Sequence, residues 1–434
     1  MKPSAHQPAQ KKGGEPQSAR IEKPIYGGAF LARPEGKAVF VPFALPGEQV
    51  RVRIVEEKRA YATAELEEII ISVPERIEPA CRHFGVCGGC DYQHADYVTQ
   101  LAFKQAILRE TLERGGVRAP EEIAVLAASP WAYRNRIRLA FDAAGNPGYR
   151  SRRSHAIVPI AECPIAAPLL VQAAWAAAEI ARHGTLRPAE ISLFCDAAET
   201  ALLASIVTTS PARARFDPFI QEFCERIPAL QGAELATEDR AKRQPRTVAQ
   251  WGQPALNYRA AGFDYRVGHG AFFQVNRWLV DALIERVTAG HRGALAWDLF
   301  AGVGLFARRL AASFASVVAV ESAPAATASL AHNLSGTTGE AVASDTLAFL
   351  RRRKAERPGV IVVDPPRTGL GPEITTLLAE IAAPMLVYVS CDPATLTRDL
   401  RALLASGYAI ESLTLADLFP QTFHLETVVQ LRRS

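Results

Sequence analysis

The sequence lacks any apolar run long enough to cross a bilayer, and residues 1–20 are polar with no apolar core. It therefore carries the pattern of neither a membrane anchor nor a signal peptide. We expect a cytoplasmic monomer with no membrane partner. Internal repeats are absent too. Cysteine is scarce, at seven residues, and in the cytoplasm clustered cysteines are expected to bind metal rather than form disulfides.

What the sequence does contain is enough apolar material for several cores. The chain has 434 residues, of which 49% are hydrophobic and 22% charged, and this length predicts about two to four domains. The net charge of +4 suits a nucleic-acid partner, although a mild excess of positive charge is weak evidence alone.

The N-terminal part predicts a tail followed by a small barrel. Residues 1–19 are rich in Pro, Gly, Gln and Lys without periodicity, which is typical of a disordered tail. Residues 20–72 alternate in short segments broken by Gly and Pro, a pattern typical of an oligonucleotide-binding barrel. Its cations are interleaved with aromatics, namely Lys23, Arg33, Lys37, Arg51, Arg53, Lys58 and Arg59 beside Tyr26, Phe30 and Phe40. This mixture favours an RNA-binding surface; a solvated charged face is the alternative.

Residues 73–262 are predicted to form a central α+β domain. Four cysteines lie in it, three closely spaced (Cys81, Cys87, Cys90) and one, Cys163, beside a proline. Four thiolates match the ligand set of an iron–sulfur cluster, and the adjacent glycines would let the loop wrap around it. A four-cysteine zinc site and two disulfides are the alternatives. Cys195 and Cys224 have no such neighbours and are predicted to be ordinary buried thiols.

Two further patterns lie in this central stretch. Residues 96–114 have the apolar spacing of a helix. Arginines then recur at strand spacing in residues 134–138 and again in 150–153. A row of arginines on one strand face suits phosphate binding, and a solvated strand face is the alternative.

From residue 263 onward, apolar strands alternate with helices, as in a doubly wound α/β domain. Polar residues follow the strand ends, where such folds bind ligands. A glycine pair in Asp298-Leu-Phe-Ala-Gly-Val-Gly304 permits close backbone approach, and Glu321 is placed to bind ribose hydroxyls. The dinucleotide fingerprint and a phosphate-binding Lys-Ser/Thr are both missing. S-adenosylmethionine therefore fits better than NAD or ATP.

The segment Ser390-Cys391-Asp392-Pro393 joins a buried strand to a helix. A cysteine beside a helix N-terminus is expected to favour the thiolate; a buried structural thiol is the alternative. A thiolate that adds to C6 of uracil makes C5 nucleophilic, and a base must later remove the C5 proton. Glu426 is the candidate base, with a surface acid as its alternative, and Asp364 is a candidate partner for the ring N–H.

These residues closely resemble the RNA uracil-5 methyltransferase family, in particular its 23S rRNA enzymes. The matching motifs are the four cysteines, Phe272-Phe-Gln-Val-Asn276, Asp364-Pro-Pro-Arg367, Ser390-Cys-Asp-Pro393 and His424-Leu-Glu426. The resemblance implies a TRAM (OB-like) RNA-binding domain at 20–72, a central iron–sulfur domain at 73–262 with helix 96–114 packed on the catalytic domain, and a class I (Rossmann-like) methyltransferase domain at 263–434.

The resemblance also assigns roles to individual residues. Cys391 would be the nucleophile and Glu426 the base, while the four cysteines would hold a 4Fe–4S cluster. The S-adenosylmethionine and uracil site would be lined by Gln274, Phe300, Glu321, Asp345 and Asp364. Ala301 and Leu305 depart from relatives, which often carry a cysteine and a small polar residue there. The tRNA T-loop uridine, or a non-catalytic RNA-binding role, are the alternatives to rRNA methylation.

Overall fold

The computed structural model describes residues 15–152, 154–210, 212–239 and 244–433. The chain divides into two compact units. The first holds the described residues up to Gly85, with residues 90–107 and 421–423, and the second holds residues 86–89, 108–420 and the chain from His424 onward. Across these described ranges, no helix has the length and apolarity to span a membrane.

The first unit is built on a closed five-stranded barrel, which confirms the predicted OB-like fold. Its strands are β1 (Gln17–Pro24), β2 (Ala29–Ala32), β3 (Ala38–Pro42), β4 (Gln49–Glu57) and β5 (Tyr61–Ile71). They close in the order β1-β2-β3-β5-β4. Alternate residues such as Val39 and Val41 point inward and are buried, because successive side chains of a strand face opposite sides.

The predicted tail of residues 1–19 reaches too far along the chain. Residues 1–14 lie outside the described part, but Gln17–Ala19 pair with β4 as the start of β1. Ala19 is buried in the barrel core. The polar composition of this stretch hides a strand whose pairing partner is thirty residues away.

A long helix, α1 (Tyr97–Arg114), follows the barrel and confirms the predicted helix. The next elements are β6 (Ala124–Leu126), β7 (Arg136–Phe141), β8 (Pro147–Arg150), β9 (Ile157–Pro159), α2 (Pro168–His183), β10 (Glu190–Cys195), β11 (Leu202–Thr208), α3 (Arg213–Arg226), β12 (Leu230–Asp239), β13 (Gln244–Gly252), β14 (Ala255–Ala260) and β15 (Phe263–Gly268). Seven of these strands form one sheet, in the order β13-β12-β11-β10-β7-β8-β9. Helices α2 and α3 share its apolar core.

The opposite face of this central sheet is lined by both polar and apolar residues, and among the latter Phe194 and Leu203 belong to the core of the doubly wound sheet. Arg136, Arg138, Ser192 and Ser205 line a groove of about 710 Å³ there. The predicted row of arginines is therefore real, since Arg136 and Arg138 are two residues apart on β7 and share this face.

The remaining elements form the doubly wound domain, as predicted. They are α4 (Val280–Thr288), β16 (Gly293–Leu299), α5 (Leu305–Leu310), β17 (Phe314–Glu321), α6 (Pro324–Leu334), β18 (Gly339–Ala343), α7 (Thr346–Arg353), β19 (Val360–Val363), α8 (Gly371–Ile381), β20 (Met385–Ser390), α9 (Pro393–Ala405), β21 (Tyr408–Ala416) and β22 (Glu426–Arg433). The sheet order is β18-β17-β16-β19-β20-β22-β21-β6. Strand β22 runs antiparallel to β20 and β21, and the order reverses between β16 and β19, the position where such sheets bind ligands.

Two connections across this sheet were not predicted. Strand β6 pairs in parallel with the end of β21, although it comes from the stretch assigned to the central domain. The hairpin β14–β15, which straddles residue 263, contributes Leu256 and Val267 to the same core as the doubly wound sheet. A three-residue strand is too short to show periodicity, so β6 had no signal in the sequence.

Candidate active site

The strand register aligns the predicted site residues at one edge of the sheet. Leu299 at the end of β16 lies beside Val320 of β17 and Val363 of β19. Phe300, Glu321 and Asp364 directly follow these three residues. They therefore lie at the same level of the sheet. Parallel strands end together, so these three side chains meet at the carboxyl edge.

Cys391 and Glu426 meet at this edge from opposite chain directions. Ser390, the last residue of β20, pairs with Thr427 of the antiparallel β22. Cys391 therefore follows the end of β20 at the level where Glu426 begins β22. Because β22 runs antiparallel, its first residue reaches the edge where its neighbours finish.

The expected thiolate at Cys391 is wrong for the protein without substrate. Burial, followed by the nearby carboxyls of Glu426 and Asp364, raises the pKa of Cys391 to about 12. The N-terminus of α9 offers little compensation, since the Asp392 carboxylate already accepts from Ala394 N at 3.1 Å and Thr395 N at 2.9 Å. Two acids and a half-buried setting outweigh the helix dipole.

The two acids are themselves held towards the neutral form. Burial raises the pKa of Asp364. Burial and then the Asp364 charge raise the pKa of Glu426 well above its usual value, while Arg367 lowers it. Arg367 also lowers the pKa of Cys391, and its guanidinium lies 3.3 Å from Nδ1 of His424. Acids with raised pKa values beside a thiol mark a candidate catalytic site.

The loop after β16 suits a nucleoside cofactor. Phe300, Gly302 and Gly304 all have positive φ values, of 62°, 55° and 88°. A Cβ added at Gly302 would meet no atom within 4 Å, so the loop leaves space beside its backbone. Such space and the strand-end carboxylate of Glu321 fit S-adenosylmethionine, whose ribose hydroxyls need an acceptor.

Glu321 also shapes this loop. One of its oxygens accepts from Gly302 N at 2.8 Å, and the other accepts from Ser322 N and Ala323 N at 2.7 Å. The carboxylate is therefore fixed by three backbone N–H groups, which orients its remaining lone pairs.

Asp298 is a buried acid to which the sequence analysis assigned no role. Burial, with smaller effects from the Asp364 and Glu321 charges, raises its pKa to about 8. Its Oδ2 accepts from Ala307 N at 2.8 Å, which ties the loop to the start of α5. Its position directly before the glycine loop was the signal that could have identified it.

Three more positions near this loop have structural roles. Asp345 is the N-cap of α7, where its Oδ1 accepts from Ala348 N at 3.1 Å. Ala301 and Leu305 are buried in the core of the doubly wound sheet, and the Leu305 carbonyl accepts from the Tyr265 hydroxyl at 3.0 Å. The departure at Leu305 thus replaces a polar group by core packing.

Gln274 lies on a different segment, which β7 holds by its side chains. Asn135 Nδ2 donates to the Gln274 carbonyl at 3.0 Å, and Arg136 Nη1 donates to the Ala271 carbonyl at 2.6 Å. Asn135 is fully buried. Within the described part of the chain no hydrogen bond joins Gln274 to Phe300, Glu321 or Asp364, so its place beside the cofactor stays a prediction.

The loop that follows Asp364-Pro-Pro-Arg367 is anchored to α9. Asp399 Oδ2 accepts from Leu370 N at 2.7 Å and from the Tyr388 hydroxyl at 2.8 Å. Arg398 bonds the Thr368 carbonyl at 2.9 Å. Gly369, with φ of 71°, has no room for a Cβ beside Asp399. This network fixes the loop that carries Asp364. No local sequence pattern predicts the network.

The predicted cluster cysteines are distributed over both units. Cys81 and Cys90 belong to the first, and Cys87 and Cys163 to the second. In the second unit residues 86–88 pair with residues 150–152, and the Tyr149 hydroxyl lies 3.9 Å from the Cys163 sulfur. Burial raises the pKa of Tyr149, and the charges of Cys163 and Cys87 both act on it, so both thiols are near this hydroxyl.

The surroundings of Cys163 fit a thiolate ligand. The backbone N–H groups of Ile165 and Ala166 bond its sulfur and lower its pKa, although burial raises it overall. Cys195 is buried and Cys224 half-buried, and all seven cysteines are free thiols. Over the described ranges, however, no three His, Cys, Asp or Glu side chains are arranged to hold a metal ion.

The barrel surface is less basic than its list of cations suggested. Residues 17–72 contain eight Lys or Arg and eight Glu, and five of those cations are paired: Arg33 with Glu22, Lys37 with Glu57, Arg51 with Glu68, Arg53 with Glu67 and Lys58 with Glu56. Phe30 is fully buried in the barrel core. It therefore cannot stack on a base, contrary to the prediction.

Comparisons with known proteins agree with this geometry. Residues 10–66 match the TRAM domain family, and residues 352–434 match the tRNA (uracil-5-)-methyltransferase family. The chain is 34% identical over 95% of its length to the 23S rRNA (uracil(1939)-C(5))-methyltransferase RlmD of Chromohalobacter salexigens, covering 88% of it. It is 35% identical over 96% of its length to the protein of that name from Pseudomonas entomophila, covering 93%.

A solved structure gives the same result. The tRNA (uracil-54, C5)-methyltransferase of Pyrococcus abyssi, in complex with S-adenosyl-L-homocysteine, superposes with a TM-score of 0.77 at 25% identity, and the match covers 95% of this chain and 99% of that one. The chain therefore belongs to the S-adenosylmethionine-dependent RNA uracil-5 methyltransferase family.

Proposed function

We propose that this enzyme methylates C5 of a specific uridine in 23S rRNA through a covalent bond between Cys391 and C6 of the uracil. The main observation in support is the pairing of β20 with β22, which brings Cys391 and Glu426 to the same sheet edge as Asp364. The choice of rRNA rests on the two bacterial relatives named above.

The proposed reaction begins with Cys391. Its thiol loses its proton to solvent as the sulfur adds to C6, the electron pair of the C5–C6 double bond forms a C4–C5 double bond, and the C4 carbonyl pair moves onto O4. Asp364 orients the ring by bonding its N3–H, and Arg367 favours the ionised thiol because it lowers the pKa of Cys391. S-adenosylmethionine, which Gln274, Phe300, Glu321 and Asp345 would hold, would supply the electrophilic methyl group for C5, and S-adenosylhomocysteine would leave as the S–CH3 bond breaks.

Glu426 completes the proposed cycle as the general base. It removes the C5 proton, the double bond between C5 and C6 re-forms, and the Cys391 thiolate leaves. A base of raised pKa suits this step, because proton transfer is most efficient when the pKa lies near the working pH. Extrusion of the uridine from folded RNA costs a few kcal/mol, which an RNA-gripping barrel and central domain would offset.

The test is mass mapping of 5-methyluridine in 23S rRNA and tRNA from cells with and without the gene. Loss of an rRNA mark is expected. Purified Cys391→Ala should bind RNA and methylate none of it, and unchanged turnover in that variant would rule out the covalent route.

A second substrate is favoured by one observation. The solved structure described above is a tRNA (uracil-54, C5)-methyltransferase. A uridine of the tRNA T-loop is therefore the alternative substrate. Loss of the tRNA mark alone would keep the chemistry and reverse the substrate. Loss of neither mark would favour a non-catalytic RNA-binding role.

We further propose that Cys81, Cys87, Cys90 and Cys163 hold a 4Fe–4S cluster with a structural or RNA-contacting role. The spacing of the four cysteines supports this, together with the two thiols near Tyr149 and the N–H groups at the Cys163 sulfur. Protein purified without oxygen should contain iron and sulfide and absorb visible light. Colourless protein loaded with zinc would contradict the proposal. Cys163→Ser should lose the cluster, and Cys224→Ser, which changes a cysteine outside the proposed set, is its matched control.

A further inference from the structure

Exposed large aromatic side chains are few in the described chain, and two of them flank Gln274. Phe272 is 60% exposed and Trp278 is 43% exposed; the third, Trp251 on β13, is 39% exposed. Single exposed apolar residues need no explanation. Trp278 differs because the surrounding structure holds it rigidly in its exposed position.

Three contacts fix the Trp278 indole. Its Nε1–H donates to the Trp131 carbonyl at 3.0 Å, and its backbone N–H donates to Oδ1 of the buried Asn276 at 3.1 Å. The Arg277 guanidinium lies over the ring, 4.2 Å from its centroid. The indole is thus held at its polar atom, at its backbone and on one face.

Arg277 is itself immobilised beneath the ring. Only 5% of its side chain is exposed. Its Nε donates to the Ala132 carbonyl at 2.8 Å, and its Nη1 pairs with Glu199 at 2.7 Å. A buried, paired cation is an unusual support for a surface aromatic, since the guanidinium keeps the ring in place without the ring being buried.

The occupant that fits this ring best is a nucleobase. The segment from Gln274 to Trp278 is tied to the edge that holds Glu426, because Asn276 Nδ2 donates to the Asp417 carbonyl at 3.3 Å and Asp417 follows Ala416, which pairs with Glu426. A uridine extruded from folded RNA leaves unstacked neighbours, and aromatic side chains receive such bases regardless of their sequence.

We propose that Trp278 is a preorganised stacking platform for an unpaired base of the RNA substrate beside the target uridine. The proposal rests on the proposed RNA methylation and adds a substrate contact to it. Since the ring is already fixed, little side-chain freedom is lost when the base stacks.

The test compares Trp278→Ala, Trp278→Phe and the exposed control Trp251→Ala in the full-length protein. The probe is unmodified 23S rRNA transcribed in vitro. Trp278→Ala should weaken the Kd for this RNA by about tenfold or more, as expected for the loss of one stacked base. Trp278→Phe should retain most of the affinity, and the Kd for S-adenosylmethionine should be unchanged in all three.

Binding is read separately from methylation, so the two proposals fail in distinguishable ways. Weaker RNA binding in Trp278→Ala, together with a wild-type enzyme that methylates no RNA, would support the platform and overturn the proposed function. A wild-type RNA Kd for a folded Trp278→Ala would overturn the platform, as would an equal loss in Trp251→Ala.

Discussion

At the scale of single residues, the site is dominated by the cost of burying charge. Burial raises the pKa values of Cys391, Asp364 and Glu426, and neighbouring acids raise those of Cys391 and Glu426 further. Arg367 is the cation that lowers the pKa of both Cys391 and Glu426. Burial and the neighbouring acids together therefore favour the protonated thiol in the protein without substrate.

The raised thiol pKa predicts an alkaline activity profile. Because the thiol pKa is about 12, its ionised fraction rises about tenfold for each pH unit below that value. The rate should climb from pH 7 to pH 9. Arg367→Ala removes the influence that lowers this pKa and should reduce kcat by a similar factor throughout pH 7 to pH 9, because both thiols titrate above this range.

The control for the loss of a surface cation is Arg401→Ala, because Arg401 is an exposed residue of α9. Single-turnover methylation across this pH range measures the effect. A weaker Kd for RNA in Arg367→Ala, with an unchanged single-turnover rate at saturating RNA, would show that Arg367 acts on RNA binding and not on the thiol.

Asp298 predicts a change of stability with pH. Its pKa is about 8 in the folded protein, against about 3.9 in an unfolded chain. The folded state thus holds the proton more tightly between these values, and stability falls as pH rises through that window. Asp298→Asn removes the penalty and should raise Tm by a few degrees at pH 8 and by less at pH 5. Equal shifts at both pH values would contradict it.

At the scale of elements, the loop after β19 depends on α9. Asp399→Ala would leave Leu370 N–H and the Tyr388 hydroxyl without their buried acceptor. We expect a loss of about 3 kcal/mol in the free energy of unfolding and a lower kcat, because Asp364 lies on the loop that is released. Urea unfolding measures the loss. Arg401→Ala should change neither quantity, and a kcat that survives the destabilisation would show that the loop holds itself.

At the scale of the whole molecule, positive charge is concentrated away from the barrel. Residues 17–72 are neutral in sum, whereas residues 134–153 contain six arginines and one aspartate. Paired surface cations contribute little to phosphate binding, since a carboxylate already neutralises them. Arg138 is likewise paired with Glu190, and Arg136 bonds the Ala271 carbonyl. RNA affinity should therefore depend more on a central arginine without a carboxylate partner, such as Arg150, than on the barrel's paired cations.

That distribution gives a salt-dependence prediction. The Arg150 guanidinium is exposed and bonds only the His155 carbonyl within the described chain. The Arg51 guanidinium, in contrast, pairs with Glu68 at 2.5 Å. Arg150→Ala should lower the slope of log K against log salt for 23S rRNA by about one phosphate contact. Arg51→Ala should leave that slope nearly unchanged. A larger change of slope in Arg51→Ala than in Arg150→Ala would contradict this prediction and indicate that the barrel makes the phosphate contacts.

The sequence by itself determined the elements and the order of the site residues. Helix α1 was predicted within one residue, since its periodicity is local. Cys391, Glu321 and Asp364 were recognised because each directly follows an apolar strand. Parallel strands share one edge, so their convergence followed from the pattern alone.

Only the tertiary structure decided the electrostatics and the supports of the site. The Cys391 pKa depends on Glu426, which is 35 residues away in the chain. The Asp399 network and the Arg277 support under Trp278 join distant segments, as does the addition of β6 to β21. Burial and non-local pairing leave no trace in a short window of sequence, because they are properties of the packed chain.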